Sequence, residues 1–542
     1  MSLETALSQY PISKSVISNI KSITDITNLI NTSPYIYDNL HDATIRKTIS
    51  VPSDALVIKY ASVTMDSNNI LKKINMVFEG VTSNTDELYI YLKKSKNVFE
   101  HVNTIRIDLD NLYVTFDFST LDVFATNLAS FIDKVFDLCP NADTLEVYSV
   151  ICVHFSIIKK LQSSKIRVIK DSTFNSMMYF SKLNADAHKD VVSKLRNLEQ
   201  FNIFIGEIEL YFKPHFMEVF EDILKHLSKK ENSKIIISGH VRYKNVHVIE
   251  NFLSITQKYN VQVCLKGGLL CHKAFFEECI TRCGDMEGYP LDNITELDVS
   301  LWNLNIHGLF FTALPYFKNL KVIKIDFEDQ IFKHLMEDKT MRTFNRCFSS
   351  KLLSRLTNLE EIYLRFENWD TVYDSPEEYQ NSFLVKNNVA KEIFSYLGEN
   401  IKVLYFDGIS DLTKEMGDIL SQRCPNLEDI FLQPLNSMDA HFVENFKKLK
   451  FINLKGIYRL NVPENVEMVI VHSYKDDNAK KIAILDDDTF YNYFKELFNR
   501  SFKISLRNCD RGYHKYNILF NNIFLWNTYP KKMNNFKQVF NY

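Results

Sequence analysis

The side chains best suited to chemistry lie mid-chain: Cys264, Cys271, His272, Cys279 and Cys283. Thiolates and an imidazole suggest zinc, which wants ligand pairs two to four residues apart in each half of a site. Cys279 and Cys283 meet that on one helical face, but six residues separate Cys264 from Cys271, too many for a knuckle. With Phe275, Phe276 and Ile280 around them, buried core thiols are expected instead. Asp486, Asp487 and Asp488 could ligate a cation, yet acids directly before Thr489 to Phe494 suit a helix N-terminus and its dipole. Asp108 and Asp110 flank a strand residue and read as solvated. His240 and His247, with Arg242 and Lys244 nearby, lack a third ligand or a nucleophile. The sequence contains no Gly-x-x-x-x-Gly-Lys-Ser/Thr loop, Gly-x-Gly-x-x-Gly turn, Gly-x-Ser-x-Gly elbow or His-Glu-x-x-His pair. The expectation is a chain that is not an enzyme, with no catalytic residues, metal or cofactor.

Composition narrows what must position the remaining residues. The chain has 542 residues. At ~150 residues per domain that means three or four units, or one repeating array. A net charge of −3 argues against a duplex-coating nucleic-acid binder. Hydrophobic residues at 46% supply a large core and exclude wholesale disorder. Glycine (13) and proline (12) fall well below the usual roughly 7% and 5%, favouring helices joined to short strands over a many-turned β-sandwich. The nine cysteines follow no framework spacing, so a reducing compartment is the default. The N-terminal residues show no signal-peptide pattern, and the most apolar stretch, Val147 to Ile158, is too short to span a bilayer. A cytoplasmic or nuclear protein without a membrane partner is expected.

A repeat emerges from the pattern apolar-x-x-apolar-x-apolar. Ten such triples begin at Val102, Ala142, Leu198, Ile294, Leu320, Leu359, Ile401, Leu427, Leu449 and Val466. Eight are preceded by asparagine: Asn141, Asn197, Asn293, Asn319, Asn358, Asn400, Asn426 and Asn465. Composition alone would put asparagine before roughly one in ten. Helical spacing precedes the triples, as in Leu412, Met416, Ile419 and Leu420 within residues 411–420, and again over Phe131 to Leu138. Pro425 and Pro140 then stop the helix before a short strand. Weaker strand candidates are Ile166 to Val168, Ile235 to Ile237 and Val261 to Val263. A doubly wound α/β domain would also alternate helices and strands, but no strand is followed by a Gly-rich phosphate turn.

Residues 409–432, with Cys424-Pro425-Asn426-Leu427 closing a helix, resemble one leucine-rich repeat of the cysteine-containing class. The 26-residue steps from Ile294 to Leu320 and from Ile401 to Leu427 fit that class, whereas Leu449 to Val466 is only 17. The resemblance implies an α/β fold, a solenoid of helix–strand repeats with a parallel concave sheet. It would span residues 49–480, clearest over 290–472, with residues 481–542 as a C-terminal cap. Residues alternating with the core triples would line that sheet: Glu361, Tyr363, Arg365; Val403, Tyr405, Asp407; Asp429, Phe431, Gln433; Phe451, Asn453, Lys455. Aromatics among charges suit a protein partner, so Tyr363, Arg365, Tyr405, Asp407, Phe431 and Phe451 are the expected partner-binding residues.

The first 48 residues read as a small all-helical module. Ser13, Thr24 or Asp25, and Ser33-Pro34 can each start a short amphipathic helix. Pro11, Val16, Ile17, Ile20, Ile26 and Leu29 resemble the proline, first-helix and second-helix positions of an F-box, although Tyr10 replaces the usual Leu and the preferred Trp is absent. In that family the F-box docks on a Skp-type adaptor, and repeats behind it hold a substrate protein. The resemblance implies the substrate-recognition adaptor of an SCF-type (cullin-RING) ubiquitin ligase. The alternative is a stand-alone leucine-rich-repeat scaffold whose N-terminal helices only cap the solenoid.

Overall fold

A computed structural model describes residues 29, 45–48, 55–67, 70–94, 99, 102–112, 117–149, 153–173, 176–177, 180, 189–205, 214–239, 246–267, 275–277, 279–281, 291–337, 353–368, 372–473, 487–502, 504–508, 515–521 and 525. It is a mixed α/β structure dominated by parallel strands, and it divides into two compact units. One comprises residues 52–300 and 316–320; the other comprises 301–315 and 321–542 with residues 1–51. The boundary falls inside the stretch that reads in sequence as one array. No helix among the described residues is long and apolar enough to cross a membrane.

Chain order begins with β1 (Ile45–Thr48), which belongs to the second unit. The first unit opens on three antiparallel strands, β2 (Ala55–Met65), β3 (Leu71–Phe78) and β4 (Val81–Asn84), which sequence reading does not distinguish from the array. From β2 onward the pairing is parallel through β5 (Thr104–Asp108), β6 (Thr144–Tyr148), β7 (Val168–Thr173), β8 (Gln200–Ile205), β9 (Lys234–Gly239), β10 (Gln262–Lys266) and β11 (Ile294–Leu301). Helices α1 (Thr85–Lys94), α2 (Phe118–Leu138), α3 (His154–Ile158), α4 (Pro214–Leu227) and α5 (Val246–Lys258) lie between them in sequence. The side chain of Asp117 caps α2, and Leu121, Phe124, Leu128, Ile132 and Val135 bury its apolar face at helical spacing.

The second unit follows the same logic. After α6 (Leu304–Ala313) come β12 (Val322–Phe327), α7 (Asp329–Glu337), β13 (Glu361–Phe366), α8 (Pro376–Ser395) and β14 (Val403–Asp407). Then follow β15 (Asp411–Leu412), α9 (Lys414–Arg423), β16 (Asp429–Gln433), β17 (Ser437–Met438), β18 (Phe451–Lys455) and β19 (Met468–Ser473). Strands β12, β13, β14, β16, β18 and β19 pair in parallel in that order. The helix expected at 411–420 starts later, because Thr413 caps α9 and β15 pairs with β17 instead. Beyond α10 (Asp487–Leu497), which begins at the aspartate run, β20 (Ile504–Asn508) and β21 (Lys515–Phe520) turn antiparallel. β21 covers β19, and β1 pairs with β20. In each unit the parallel strands follow chain order, so they lack the order reversal of a doubly wound sheet.

The start of each strand repeats one geometry. In nine of the ten triples, the N–H of the first apolar residue closes onto the carbonyl three residues earlier, as in Leu198 to Leu195 and Leu427 to Cys424. The asparagine just before donates its side chain backwards. Asn319, Asn400 and Asn426 reach the carbonyls of Asp292, Thr357 and Glu399, each immediately before the preceding turn's asparagine, at 2.9, 2.6 and 2.9 Å. Asn197 makes a comparable bond to Ser164, while Asn293 and Asn465 also donate backwards but to other carbonyls, Thr256 near the end of α5 and Leu449 at the preceding strand entry. Each bond gives a backbone carbonyl a side-chain donor. Next to these bonds the backbone repeats as well: Lys402 and Val403 both donate to Glu360, Glu428 and Asp429 to Lys402, and Lys450 and Phe451 to Glu428. Asn465→Ala and Asn400→Ala should each lower stability by about 1 kcal/mol, more for Asn465, which donates to two carbonyls in partly buried bonds. Urea denaturation midpoints check this; wild-type midpoints in both variants would contradict it.

Candidate partner-binding face

In the second unit α7 and α8 pack on one face of the sheet. Phe394 of α8 meets Phe406 at 4.5 Å between ring centres, and Phe332 of α7 meets Phe366 at 5.5 Å. Strand alternation sends the neighbouring side chains to the opposite face. The register sorts them into rows. Glu361, Val403, Asp429 and Phe451 are cross-strand partners, and so are Tyr363, Tyr405, Phe431 and Asn453. A third row runs Asp326, Arg365, Asp407 and Gln433, with Lys455 opposite His472 farther along.

Among the residues expected to bind a partner, Tyr363, Tyr405 and Phe431 share a row, and Arg365 and Asp407 share the next. Phe451 sits in the Asp429 row, two residues out of line, and Asn453 takes the place beside Phe431. The aromatics are not open anchors. Tyr405 stacks on Phe431 at 4.2 Å with rings 11° apart and lies 5.7 Å from Tyr363. Tyr405 and Phe431 each retain 1% exposure, while Tyr363 and Phe451 are buried. Adjacent parallel strands bring such rings within stacking distance, so each ring's faces are used by its neighbours. As partner-binding residues the four aromatics therefore offer little accessible surface of their own. Arg365 and Asp407 remain partly exposed.

The charged row is electrostatically tight. Arg365 pairs with Asp326 at 3.0 Å and approaches Glu367 at 3.6 Å. Burial pushes the Asp407 carboxyl up, against the pull of Lys455 and Arg365 and a 3.4 Å hydrogen bond from the Tyr405 hydroxyl. Burial likewise lowers Lys455. Asn453 is fully buried in the aromatic row, yet neither atom of its side-chain amide has a hydrogen-bond partner among the described residues, and the Gln433 carbonyl oxygen also lacks one. Such groups cost about 1–3 kcal/mol each while unsatisfied. In the first unit the comparable charges are already matched: Glu146 meets Arg106 at 2.6 Å and Lys170 at 3.0 Å. Burial alone would raise Glu296, but Lys266 and Lys234 hold it down to about 2.

Beneath α8 lies a cluster that sequence reading missed. Lys386 is fully buried and directs its three ammonium protons at Asp329 (2.6 Å), the Glu367 carbonyl (2.7 Å) and the Asn368 side chain (2.8 Å). The Tyr373 hydroxyl donates to the same Asp329 oxygen at 2.8 Å, and the rings of Phe332, Phe383 and Tyr373 surround the ammonium. Burial lowers the Lys386 pKa despite Asp329. Asn368 also donates to the Phe366 carbonyl beside Gly408, whose φ of +80° and close approach to that carbonyl leave no room for a side chain. The only sequence signal was a lysine at an inward position of an amphipathic helix. Glu367, near both Arg365 and the cluster, is raised to about 7 by burial first and then by Glu328, Asp326 and Asp329.

Other chemistry-bearing side chains are sealed. Cys264, Cys139 and Cys424 are buried, their thiols pushed up to about 12, about 11 and about 12 by desolvation. Cys279 is buried too, whereas Cys271, His272 and Cys283 lie outside the described residues. No metal-holding group of three His, Cys, Asp or Glu side chains occurs among the described residues. A Ser–His pair not singled out in sequence, His154 Nδ1 to Ser176 Oγ at 3.2 Å, is buried, with Nε2 donating to the Val147 carbonyl and burial lowering the ring to about 4. Of the F-box-like positions, Pro11, Val16, Ile17, Ile20 and Ile26 lie outside the described residues, and Leu29 is helical and partly exposed. Residues 45–48, expected within an all-helical module, form the strand β1.

Residues 36–533 match the family described as Domain of unknown function (DUF8346), and the chain belongs to that family. The F-box-like positions precede the matched region. No curated protein matches the chain.

Removing one partner of the buried pair should be costly: Lys386→Met is expected to lower stability by about 3–5 kcal/mol, and adding Asp329→Leu should recover part of that loss. Chemical denaturation of both variants tests this, and a double variant no better than the single one would contradict it. Glu367 titrates higher in the folded chain than in the unfolded one, so its protonated form favours folding. Its contribution is present below pH 4.5 and is lost as pH rises towards about 7. Glu367→Gln should therefore stabilise the chain by about 1 kcal/mol at pH 8, after allowing for solvent screening, and change little near pH 4.5.

Proposed function

We propose that this chain is a leucine-rich-repeat-like solenoid that binds a protein partner through the sheet face of its second unit. The observation that carries this reading is the repeated turn, in which asparagine side chains bond from one strand entry to the preceding one. Solenoids gain stability from such nearest-neighbour interfaces. The partner would meet Arg365, Asp407, Gln433 and Lys455, while Tyr363, Tyr405 and Phe431 form the stiff wall behind them and Phe451 flanks it. The role is non-catalytic recognition, with no metal or cofactor.

The F-box-like segment extends this reading to a substrate-recognition adaptor of an SCF-type ubiquitin ligase, acting in the cytoplasm or nucleus. Pro11, Val16, Ile17, Ile20, Ile26 and Leu29 would dock on a Skp-type adaptor, leaving the array to hold the substrate protein near the conjugating enzyme. One observation favours the alternative, a stand-alone scaffold with an N-terminal cap: β1, just after that segment, pairs with β20 of the second unit. Titrating the purified chain against a Skp-type adaptor separates the two. Ligase-adaptor function predicts tight binding that Ile20→Asp weakens by at least about tenfold. No binding by the wild-type chain, with the variant instead less stable to heat, would establish a cap.

A further inference from the structure

The helix layer of the second unit opens between α7 and α8 into a groove of about 690 Å³. That volume accommodates several side chains. Its apolar lining comes from Leu335 and Met336 in the last turn of α7 and from Leu384 and Val385 in the middle of α8. Asp374, Glu377 and Glu378 form the rim, and none of the lining residues is cationic. Lys333, outside the lining, pairs with Asp374 at 3.0 Å, and Glu378 accepts the Asp374 backbone N–H. Glu377 stands exposed on the first turn of α8.

Two features make this more than a surface dent. Leu384 is 66% exposed, so α8 presents a large aliphatic side chain towards water at the groove wall. The walls are also fixed in place. Lys386, two residues beyond Leu384, is locked to Asp329 at the start of α7 and packed under Phe332. A groove held open in advance loses little freedom when it is filled.

We propose that this groove binds a basic amphipathic helix from a partner protein. A helix laid between two helices offers anchors at i, i+3, i+4 and i+7, which suit the aliphatic side chains that α7 and α8 place here. An aliphatic anchor would cover Leu384, and lysine or arginine beside it would face the exposed Glu377, where opposite charge fixes orientation. The surface lies on the helix side of the unit, away from the sheet face, and stands independently of the function proposed above.

The test is fluorescence anisotropy of the full chain with a labelled, helix-forming peptide of leucine and lysine. An isomer of equal composition, with its leucines scattered around the helix, serves as control. Saturable binding of the amphipathic peptide is expected, at least about tenfold weaker for the isomer and for Leu384→Asp. Glu377→Lys should weaken it and flatten its salt dependence. Leu384 and Glu377 are exposed, so Leu384→Asp should melt close to the wild type, and Glu377→Lys, which reverses an acid in the first turn of α8, only slightly lower. Equal binding of the two peptides, wild-type affinity in both variants, or no binding up to about 100 μM protein would overturn the proposal.

Discussion

The structure rests on a short side-chain bond: an asparagine amide donating to a backbone carbonyl of the turn before it. A parallel strand must begin beside its neighbour at a fixed offset, because slipping by one residue would exchange its two faces. The Asn319, Asn400 and Asn426 bonds set that offset where each strand enters the sheet. The paired backbone donations onto Glu360, Lys402 and Glu428 carry it into the ladder. Lys402–Glu360 and Lys450–Glu428, at 3.1 and 3.0 Å, repeat the same step in charge. Exposed pairs of this kind add little energy, but they disfavour the wrong neighbour.

With the offset fixed, the two faces acquire different tasks. Ile362, Leu364, Leu404, Phe406, Ile430 and Leu432 are buried on the helix side, where α7 and α8 supply Phe332 and Phe394. The other face collects Tyr363, Tyr405 and Phe431 into a stack, with charged and amide side chains in the next row. The Lys386 cluster works between layers: it joins the start of α7, the chain after β13 and the middle of α8 through one satisfied ammonium. A buried charge is tolerated there because each of its three donors has an acceptor.

Much of this was legible in the sequence because it is local. The apolar triple, its preceding asparagine and the Cys-Pro stop lie within a few residues of one another, and nine of the ten triples begin where a turn closes. The rows of the sheet face also followed from period-two alternation once the strands were aligned. What escaped depends on partners distant in sequence. Alternation within its own strand places Tyr405 on the face away from the helices, yet the surroundings of its ring come from Tyr363 and Phe431, 42 and 26 residues away. Lys386 meets Asp329 across 57 residues, and nothing near it in sequence announces the ion pair. The antiparallel strands β2 to β4 lack the asparagine signal, so their separate character was invisible.

The account depends most directly on whether the asparagine bond joins one strand entry to the one before it. Backbone amide hydrogen exchange of Asn426→Ala against the wild type measures this segment by segment. The account predicts faster exchange confined to the two turns that the bond links, around residues 398–403 and 424–429, with the first unit unchanged. Exchange accelerated evenly along the chain, or unaltered in both turns, would contradict it.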